Sequence, residues 1–104
     1  MKRIIDRKVY DTDTAKCLHS WDNGIYGEDL NSMDESLYKT KKGQYFIQGC
    51  GGATTKYSEP CGNNSSSGSC RMWLVNKIEA IDWLESHDGA DTILKYFKDC
   101  VSEG

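Results

Sequence analysis

The chain has 104 residues, of which 38% are hydrophobic and 28% are charged, and its net charge is −3. A chain of this length forms one domain with one modest core, so we predict a single domain spanning residues 1–104. The acidic balance argues against a general nucleic-acid-binding protein, which carries a basic face. No run of residues reaches the 18 or more apolar positions of a membrane span.

The N-terminal segment predicts an extended arm or hairpin. Residues 4–10 read IIDRKVY, so two β-favouring pairs flank a charged turn. The basic start is followed by only two isoleucines before charges return, which leaves no apolar core for a signal peptide and favours a cytoplasmic protein. Residues 11–14, DTDT, suit a helix cap, because Asp and Thr side chains accept hydrogen bonds from free backbone N–H groups.

The next part of the chain predicts a strand, a turn and a polar loop. Residues 15–21, AKCLHSW, alternate as in a strand. Leu18 and Trp21 also fit helical spacing, and we favour the strand. Residues 22–24, DNG, are a turn signal, and the polar, acidic residues 25–35 predict a loop with a short helical turn.

The middle of the chain contains the clearest hairpin. Residues 37–40, LYKT, and 44–48, QYFIQ, favour strands and flank a turn of Lys41, Lys42 and Gly43. Lys39, Lys41 and Lys42 around this turn discourage pairing with the sheet edge of another chain. A weak contact between these lysines and a phosphate stays open.

The stretch that follows the hairpin, GCGGATTKY at residues 49–57, raises the question of a phosphate-binding loop. A phosphate loop needs G-x-x-x-x-G-K-[ST], and this stretch lacks the second glycine followed by lysine. The dinucleotide fingerprint G-x-G-x-x-G also fails, because Thr54 holds the third glycine position. We therefore attribute the glycines to backbone freedom where the chain leaves the hairpin. Residues 62–69, rich in Asn, Ser and Gly, predict a flexible loop.

The C-terminal third predicts two amphipathic helices. Ile78, Ile81 and Leu84 recur at three-residue steps, with Trp83 beside this apolar stripe. Gly89 predicts the end of the first helix. In the second helix we expect the inward side to be formed by Ile93, Leu94, Phe97, Cys100 and Val101.

The five cysteines predict neither disulfides nor a metal site. An odd count and a cytoplasmic location both argue against a disulfide framework, so we expect thiols. The gaps from Cys50 to Cys61 and from Cys61 to Cys70 are longer than the C-x(2–4)-C spacing of structural zinc sites. We expect Cys17 and Cys100 to be buried, as small apolar side chains are.

The two histidines do not complete a catalytic pair. Thiol catalysis would place one of the three clustered cysteines beside His19 or His87, and nothing in the spacing supports such a pair. His87 lies near a predicted helix end, where a cation is mildly favoured. We predict a protein that is not an enzyme and that holds no cofactor, while an enzyme that uses a cysteine pair or a metal stays open as a lesser alternative.

Four stretches together carry a family resemblance: YDTDTA at 10–15, LYKTKKGQYF at 37–46, GCGG at 49–52 and EAIDWLE at 79–85. They resemble a set of small proteins carried by bacterial mobile elements, mostly of Firmicutes. That set shares YDT-x-TA, LY-[KR]-T-x-x-G-x-[YW]-F, G-x-GG and EA-x-x-WLE. The match spans most of the chain, but the three clustered cysteines fall outside the pattern. The resemblance implies a cytoplasmic, non-enzymatic α+β protein.

The same resemblance implies a function, because some proteins of this kind look like inhibitors of host CRISPR defence. It implies an anti-CRISPR protein, acting in the cytoplasm of a bacterial host, that binds a type II effector nuclease stoichiometrically. Such a protein would block guide RNA or target DNA loading, with no sequence-specific nucleic-acid contact of its own and no membrane contact. An antitoxin-like or regulatory accessory protein of a mobile element stays open as the alternative.

For the fold we expect a small antiparallel sheet of three or four strands, a β-meander, packed by two C-terminal helices. Tyrosine is favoured in protein interfaces, and acidic side chains steer association with a basic partner. The contact surface is therefore expected to consist of exposed aromatic and acidic side chains, namely Tyr38, Tyr45, Tyr57, Glu79, Asp82 and Glu85.

Overall fold

The computed structural model describes residues 1–25, 30–60, 62 and 66–101. The chain forms an α+β fold with a four-stranded antiparallel sheet and two C-terminal helices, which confirms the predicted fold class. The elements in chain order are β1 (Lys2–Ile5), β2 (Lys8–Asp11), β3 (Lys16–Asp22), β4 (Met33–Lys39), β5 (Tyr45–Gly51), β6 (Glu59–Pro60), β7 (Ser66–Ser67), β8 (Ser69–Val75), α1 (Lys77–Ser86) and α2 (Ala90–Tyr96), followed by a 3-10 turn at Lys98–Cys100.

The main sheet has the strand order β3–β4–β5–β8, so consecutive strands of the meander lie side by side. The predicted strand at 15–21 and the predicted hairpin are both confirmed, and Gly43 supplies the positive φ of the hairpin turn. The strands reach further than predicted, because β4 begins at Met33, inside the expected loop, and β5 continues to Gly51. Residues 26–29 of that expected loop lie outside the described part of the chain.

The N-terminal hairpin, β1 and β2, covers one face of the main sheet. Tyr10 from β2 packs against Phe46 and Met72, which face it from β5 and β8. Residues 11–14 form a turn rather than a helix cap, since the carboxylate of Asp11 accepts a hydrogen bond from the backbone N–H of Asp13 and β3 follows. The chain therefore continues into β3, as the alternation of residues 15–21 predicts, and not into a helix as residues 11–14 would suggest.

The two helices cover the opposite face of the sheet. Ala80, Trp83 and Leu84 of α1 are buried against the sheet, whereas Ile78 is 71% exposed. The predicted stripe of Ile78, Ile81 and Leu84 is therefore wrong at its first member. Trp83 belongs to the buried side, because it removes more apolar surface from water than an isoleucine does.

The ends of α1 are fixed by hydrogen bonds. Asn76 caps the helix through a reciprocal pair with Glu79, in which each side chain accepts from the other residue's backbone N–H at 2.7 and 3.0 Å. The predicted stop near Gly89 is confirmed, and the N–H of Gly89 donates to the carbonyl of Leu84 at 2.8 Å. The left-handed position belongs to Asp88, with φ 59, so Gly89 provides close packing on Leu84 instead.

The second helix departs from its predicted inward side. Ile93 and Phe97 are buried as expected, but Leu94 is 58% exposed. Cys100 is exposed, and so is Cys17 in β3. Both cysteines had been predicted to be buried. Among the described residues, no helix has both the length and the apolarity needed to cross a membrane.

Two cysteines predicted to be thiols form a disulfide. Cys50 in β5 lies directly opposite Cys70 in β8, with 4.0 Å between their Cα atoms, and the two are bonded. The register between β5 and β8 brings the two cysteines together. The number of residues between them in the sequence does not predict this pairing. Both residues lie on the sheet face that carries Phe46, away from the helices. Cys61 lies outside the described residues.

Replacing Cys50 and Cys70 together by serine is expected to lower the free energy of unfolding by about 3 kcal/mol. The bond joins residues 20 positions apart and therefore restricts the unfolded chain. Urea unfolding of the oxidised protein and of the double variant measures the difference. Cys17→Ser, at an exposed free thiol, is the control. Identical midpoints for the oxidised protein, the reduced protein and the double variant would contradict the expectation.

Candidate functional site

The carboxylate of Glu35 on β4 has no solvent exposure and lies on the sheet face that packs against α1. Its neighbours across the sheet are Trp21 on β3 and Gly49 on β5, and Arg71 on β8 lies opposite Gly49. Burying an ionised carboxylate costs several kcal/mol unless other groups replace its water. Folding of this part of the sheet therefore requires other groups to replace the water around the Glu35 carboxylate.

Four donors converge on the Glu35 carboxylate. Lys56 Nζ lies 2.7 Å from one oxygen, and the Tyr57 hydroxyl donates to the same oxygen. Trp83 Nε1 and His87 Nε2 each lie 3.0 Å from the other oxygen. The first two donors come from the segment after β5, and the last two from α1 and its C-terminal cap. One side chain of the sheet thus fixes both a loop and a helix.

The side chain of His87 connects the end of α1 to Glu35. Its Nδ1 lies 2.7 Å from the backbone carbonyl of Trp83, and its Nε2 faces Glu35. The ring stacks on Trp83 at 4.5 Å and meets the edge of Trp21 at 4.7 Å. His87 therefore lies at the helix end as expected, but its main partner is Glu35.

The charges of the cluster are set by these contacts. Burial raises the pKa of Glu35, but hydrogen bonds from Lys56, Tyr57 and Trp83 outweigh this effect and hold the pKa below its ordinary value. Burial raises the pKa of the Tyr57 hydroxyl, and the hydrogen bond to Glu35 raises it further. At neutral pH the carboxylate is ionised and the phenol keeps its proton. The Glu35 carboxylate therefore joins β4 to the segment after β5 and to α1.

The glycines after the hairpin make room for Tyr57. A Cβ on Gly49 would overlap the Tyr57 hydroxyl oxygen, and a Cβ on Gly51 would lie 2.8 Å from the ring. Both glycines belong to β5, and neither has the positive φ that would require glycine. The predicted reason, backbone freedom at a strand exit, is therefore wrong. The two glycines allow an aromatic ring to lie directly on the strand.

The three tyrosines predicted to be contact residues mainly complete the core. Tyr57 is only 1% exposed and offers no surface to a partner, so its prediction as an exposed contact is wrong. Tyr38 is half-buried and stacks on Phe46 at 5.1 Å between ring centroids. Tyr45 is half-buried with its ring 5.5 Å from that of Phe97. Part of each of the last two side chains reaches solvent.

The three predicted acidic contact residues all lie on the exposed side of α1. Glu79, Asp82 and Glu85 are exposed, and Ile78 stands beside them with 71% of its surface in solvent. We call these four residues the α1 outer face. Glu79 has a second role, because its carboxylate accepts the hydrogen bond from Asn76 that caps the helix.

Two of the three cysteines considered for thiol or metal chemistry are joined in a disulfide. Cys50 and Cys70 are bonded to each other, so neither supplies the thiolate that thiol catalysis requires. Cys61, the third candidate, lies outside the described residues. No group of three or more His, Cys, Asp or Glu side chains in the described ranges is placed to hold a metal ion.

Comparisons with protein-family models, with curated proteins and with solved structures find no match to this chain. Sequence reasoning missed the whole Glu35 cluster. Glu35 stood in a predicted loop, and its partners Lys56, Trp83 and His87 are 21 or more positions away in sequence. The one local signal was the pair of alternate glycines, which indicates a ring or backbone lying on the strand.

Replacing Gly49 by alanine is expected to lower the free energy of unfolding by about 1–3 kcal/mol, because the added methyl group overlaps Tyr57. In a Tyr57→Ala background the same substitution should cost almost nothing. Urea unfolding of the four proteins measures this coupling. Gln48→Ala, on the opposite sheet face, is the control. An equal cost of Gly49→Ala in both backgrounds would show that Tyr57 is not the obstacle.

Replacing Glu35 by glutamine is expected to lower the free energy of unfolding at pH 7 by about 1.5–3 kcal/mol, because the buried donors of Tyr57 and Trp83 lose their charged acceptor. The pKa of Glu35 is lowered in the fold. Its contribution is therefore complete above the ordinary value of 4.5 and is lost as the pH falls through the folded pKa.

The difference between the wild-type chain and Glu35→Gln should therefore narrow below pH 4.5. Urea unfolding at pH 7, 5 and 3 tests this. The control is Asp34→Asn, at an exposed neighbour whose pKa is raised by burial and by Asp22, and it should cost little at pH 7. A difference that stays constant over this pH range would contradict the role given to the Glu35 charge.

Proposed function

We propose that this chain is an anti-CRISPR inhibitor, a binding protein that occupies a type II effector nuclease in the cytoplasm of a bacterial host. The observation that carries the proposal is the α1 outer face, where Glu79, Asp82 and Glu85 stand exposed beside Ile78. The motif resemblance described above supports the choice of partner class.

The chemistry of the partner fits this surface. Effector nucleases of this type hold the guide–target heteroduplex in a positively charged channel. A row of carboxylates on a helix presents negative charge to such a channel, and complementary charge accelerates association. The exposed Ile78 adds apolar area that a partner can bury at the centre of the contact. The mechanism is occupancy of the channel, and no bond is made or broken.

The α1 outer face does not depend on the redox state of Cys50 and Cys70. Disulfides are uncommon in a reducing cytoplasm, and the bond lies on the sheet face opposite the helices. The cap at Asn76 and the packing of Trp83 and Leu84 hold α1 in place without it. We therefore expect the reduced protein to inhibit as well as the oxidised one.

Reversing two charges on the α1 outer face tests the proposal. Asp82→Lys with Glu85→Lys should weaken binding to the purified effector by at least about tenfold, since like charges across an interface cost several kcal/mol. Calorimetric titration gives the affinity and a stoichiometry of about one to one, and a plasmid-cleavage assay gives the inhibition. Glu79 is left unchanged, because its carboxylate caps α1.

The matched control is Asp13→Lys with Asp99→Lys, which changes the net charge equally at two exposed positions outside α1. The control should bind and inhibit like the wild-type chain. If both double variants lose inhibition equally, net charge rather than the α1 outer face governs the effect. If the wild-type chain neither binds nor inhibits any effector in a type II panel, the proposal is wrong.

A further inference from the structure

The end of the molecule formed by two hairpin turns contains a basic groove. The β1–β2 turn and the β4–β5 turn lie side by side and enclose a cavity of about 280 Å³. Its polar lining consists of Arg7, Lys8, Thr40, Lys42 and Gln44. We call these five residues the hairpin groove. It is separate from the Glu35 cluster and from the α1 outer face.

The three cations of the hairpin groove have no carboxylate partner among the described residues. The ion pairs in the described part of the chain join Lys2 to Asp11, and Lys56 and His87 to Glu35. Asp11, an acidic residue of the same hairpin, is thus already engaged. Like charges gathered around a cleft repel one another and focus a positive potential into it. An anion in the groove would relieve that repulsion.

The conformation of Arg7 is a second and independent observation. Asp6 and Arg7 occupy the β1–β2 turn with φ of 53° and 65°. The left-handed region is unfavourable for a side chain such as arginine, and the second position of a two-residue turn of this kind is ordinarily glycine. The chain nevertheless keeps an arginine there, and its side chain lines the groove. Strain of this kind is a recognised mark of functional positions.

We propose that the hairpin groove binds phosphate groups, either those of a single-stranded nucleic acid or those of a free nucleotide. The guanidinium of Arg7 offers paired donors that match phosphate oxygens, and Lys8 and Lys42 add point charges. The Thr40 hydroxyl accepts a hydrogen bond from the backbone N–H of Gln44 at 3.0 Å, so its own proton is free to donate to a phosphate oxygen. This proposal does not rest on the proposed function.

The chain's net charge of −3 is compatible with such a site, because its charges are segregated. The three cations lie at the hairpin turns, while the exposed acidic residues of α1 lie on a different element. Three phosphate contacts give a modest, salt-sensitive affinity and no base recognition. The absence of an overall basic character therefore excludes a general nucleic-acid binder but leaves a local phosphate site.

The test uses the whole chain and a fluorescein-labelled single-stranded 12-nucleotide DNA, with anisotropy measured over a range of KCl concentrations. Three cation–phosphate contacts predict a slope of about −2 for log affinity against log salt concentration. Calorimetric titration with ATP forms the second arm. Binding of both ligands indicates a site for phosphate groups of either source, and binding of the oligonucleotide alone indicates that the chained phosphates of a nucleic acid are needed.

Two variants and a control make the test specific to the groove. Arg7→Gly should reduce the slope by about 0.7 while raising the unfolding temperature, because glycine relieves the positive φ. Lys42→Gln should weaken binding to a similar extent. Lys98→Gln removes an equal charge in the 3-10 turn after α2 and should leave binding unchanged.

Three outcomes would overturn the proposal. The first is an absence of binding to both the oligonucleotide and ATP at low salt. The second is wild-type binding by both Arg7→Gly and Lys42→Gln. The third is an equal loss of affinity in Lys42→Gln and Lys98→Gln, which would indicate a diffuse charge effect rather than a site.

Discussion

The buried carboxylate of Glu35 is the interaction on which most of this structure depends. An ionised group with no exposure is tolerated only where donors surround it, and Glu35 has four of them. Because these donors come from the segment after β5 and from the end of α1, one charge on β4 orders two other parts of the chain. The same requirement explains Gly49, since Tyr57 reaches Glu35 only across a strand position without a side chain.

Charge is distributed so that different faces of a small domain have different chemistry. The α1 outer face is acidic, and the hairpin groove is basic. The Glu35 carboxylate is buried and paired with Lys56, so it contributes to stability rather than to recognition. The net charge is near zero in the N-terminal half of the sequence and negative in the C-terminal half. These sums do not show that the charges are separated onto different faces.

The sequence predicted those parts of the fold that depend on local pattern. The hairpin and both helices follow from alternation, from the turn glycine and from helical spacing. The disulfide and the Glu35 cluster depend on register between distant strands, which no local pattern specifies. The side of α1 that faces the sheet was misassigned at Ile78 because three-residue spacing does not weigh Trp83, whose indole has a buried partner in Glu35. The exposure of Glu79, Asp82 and Glu85 was predicted correctly, whereas Tyr57 was predicted to be exposed and is buried.

The most direct test of the inhibitor hypothesis is an order-of-addition cleavage experiment with a purified type II effector. The chain is added either before the guide RNA or after the guide–target complex has formed. Occupancy of the positively charged channel predicts strong inhibition in the first order and little in the second. Equal inhibition in both orders would contradict channel occupancy, and no inhibition in either order would contradict the proposed function itself.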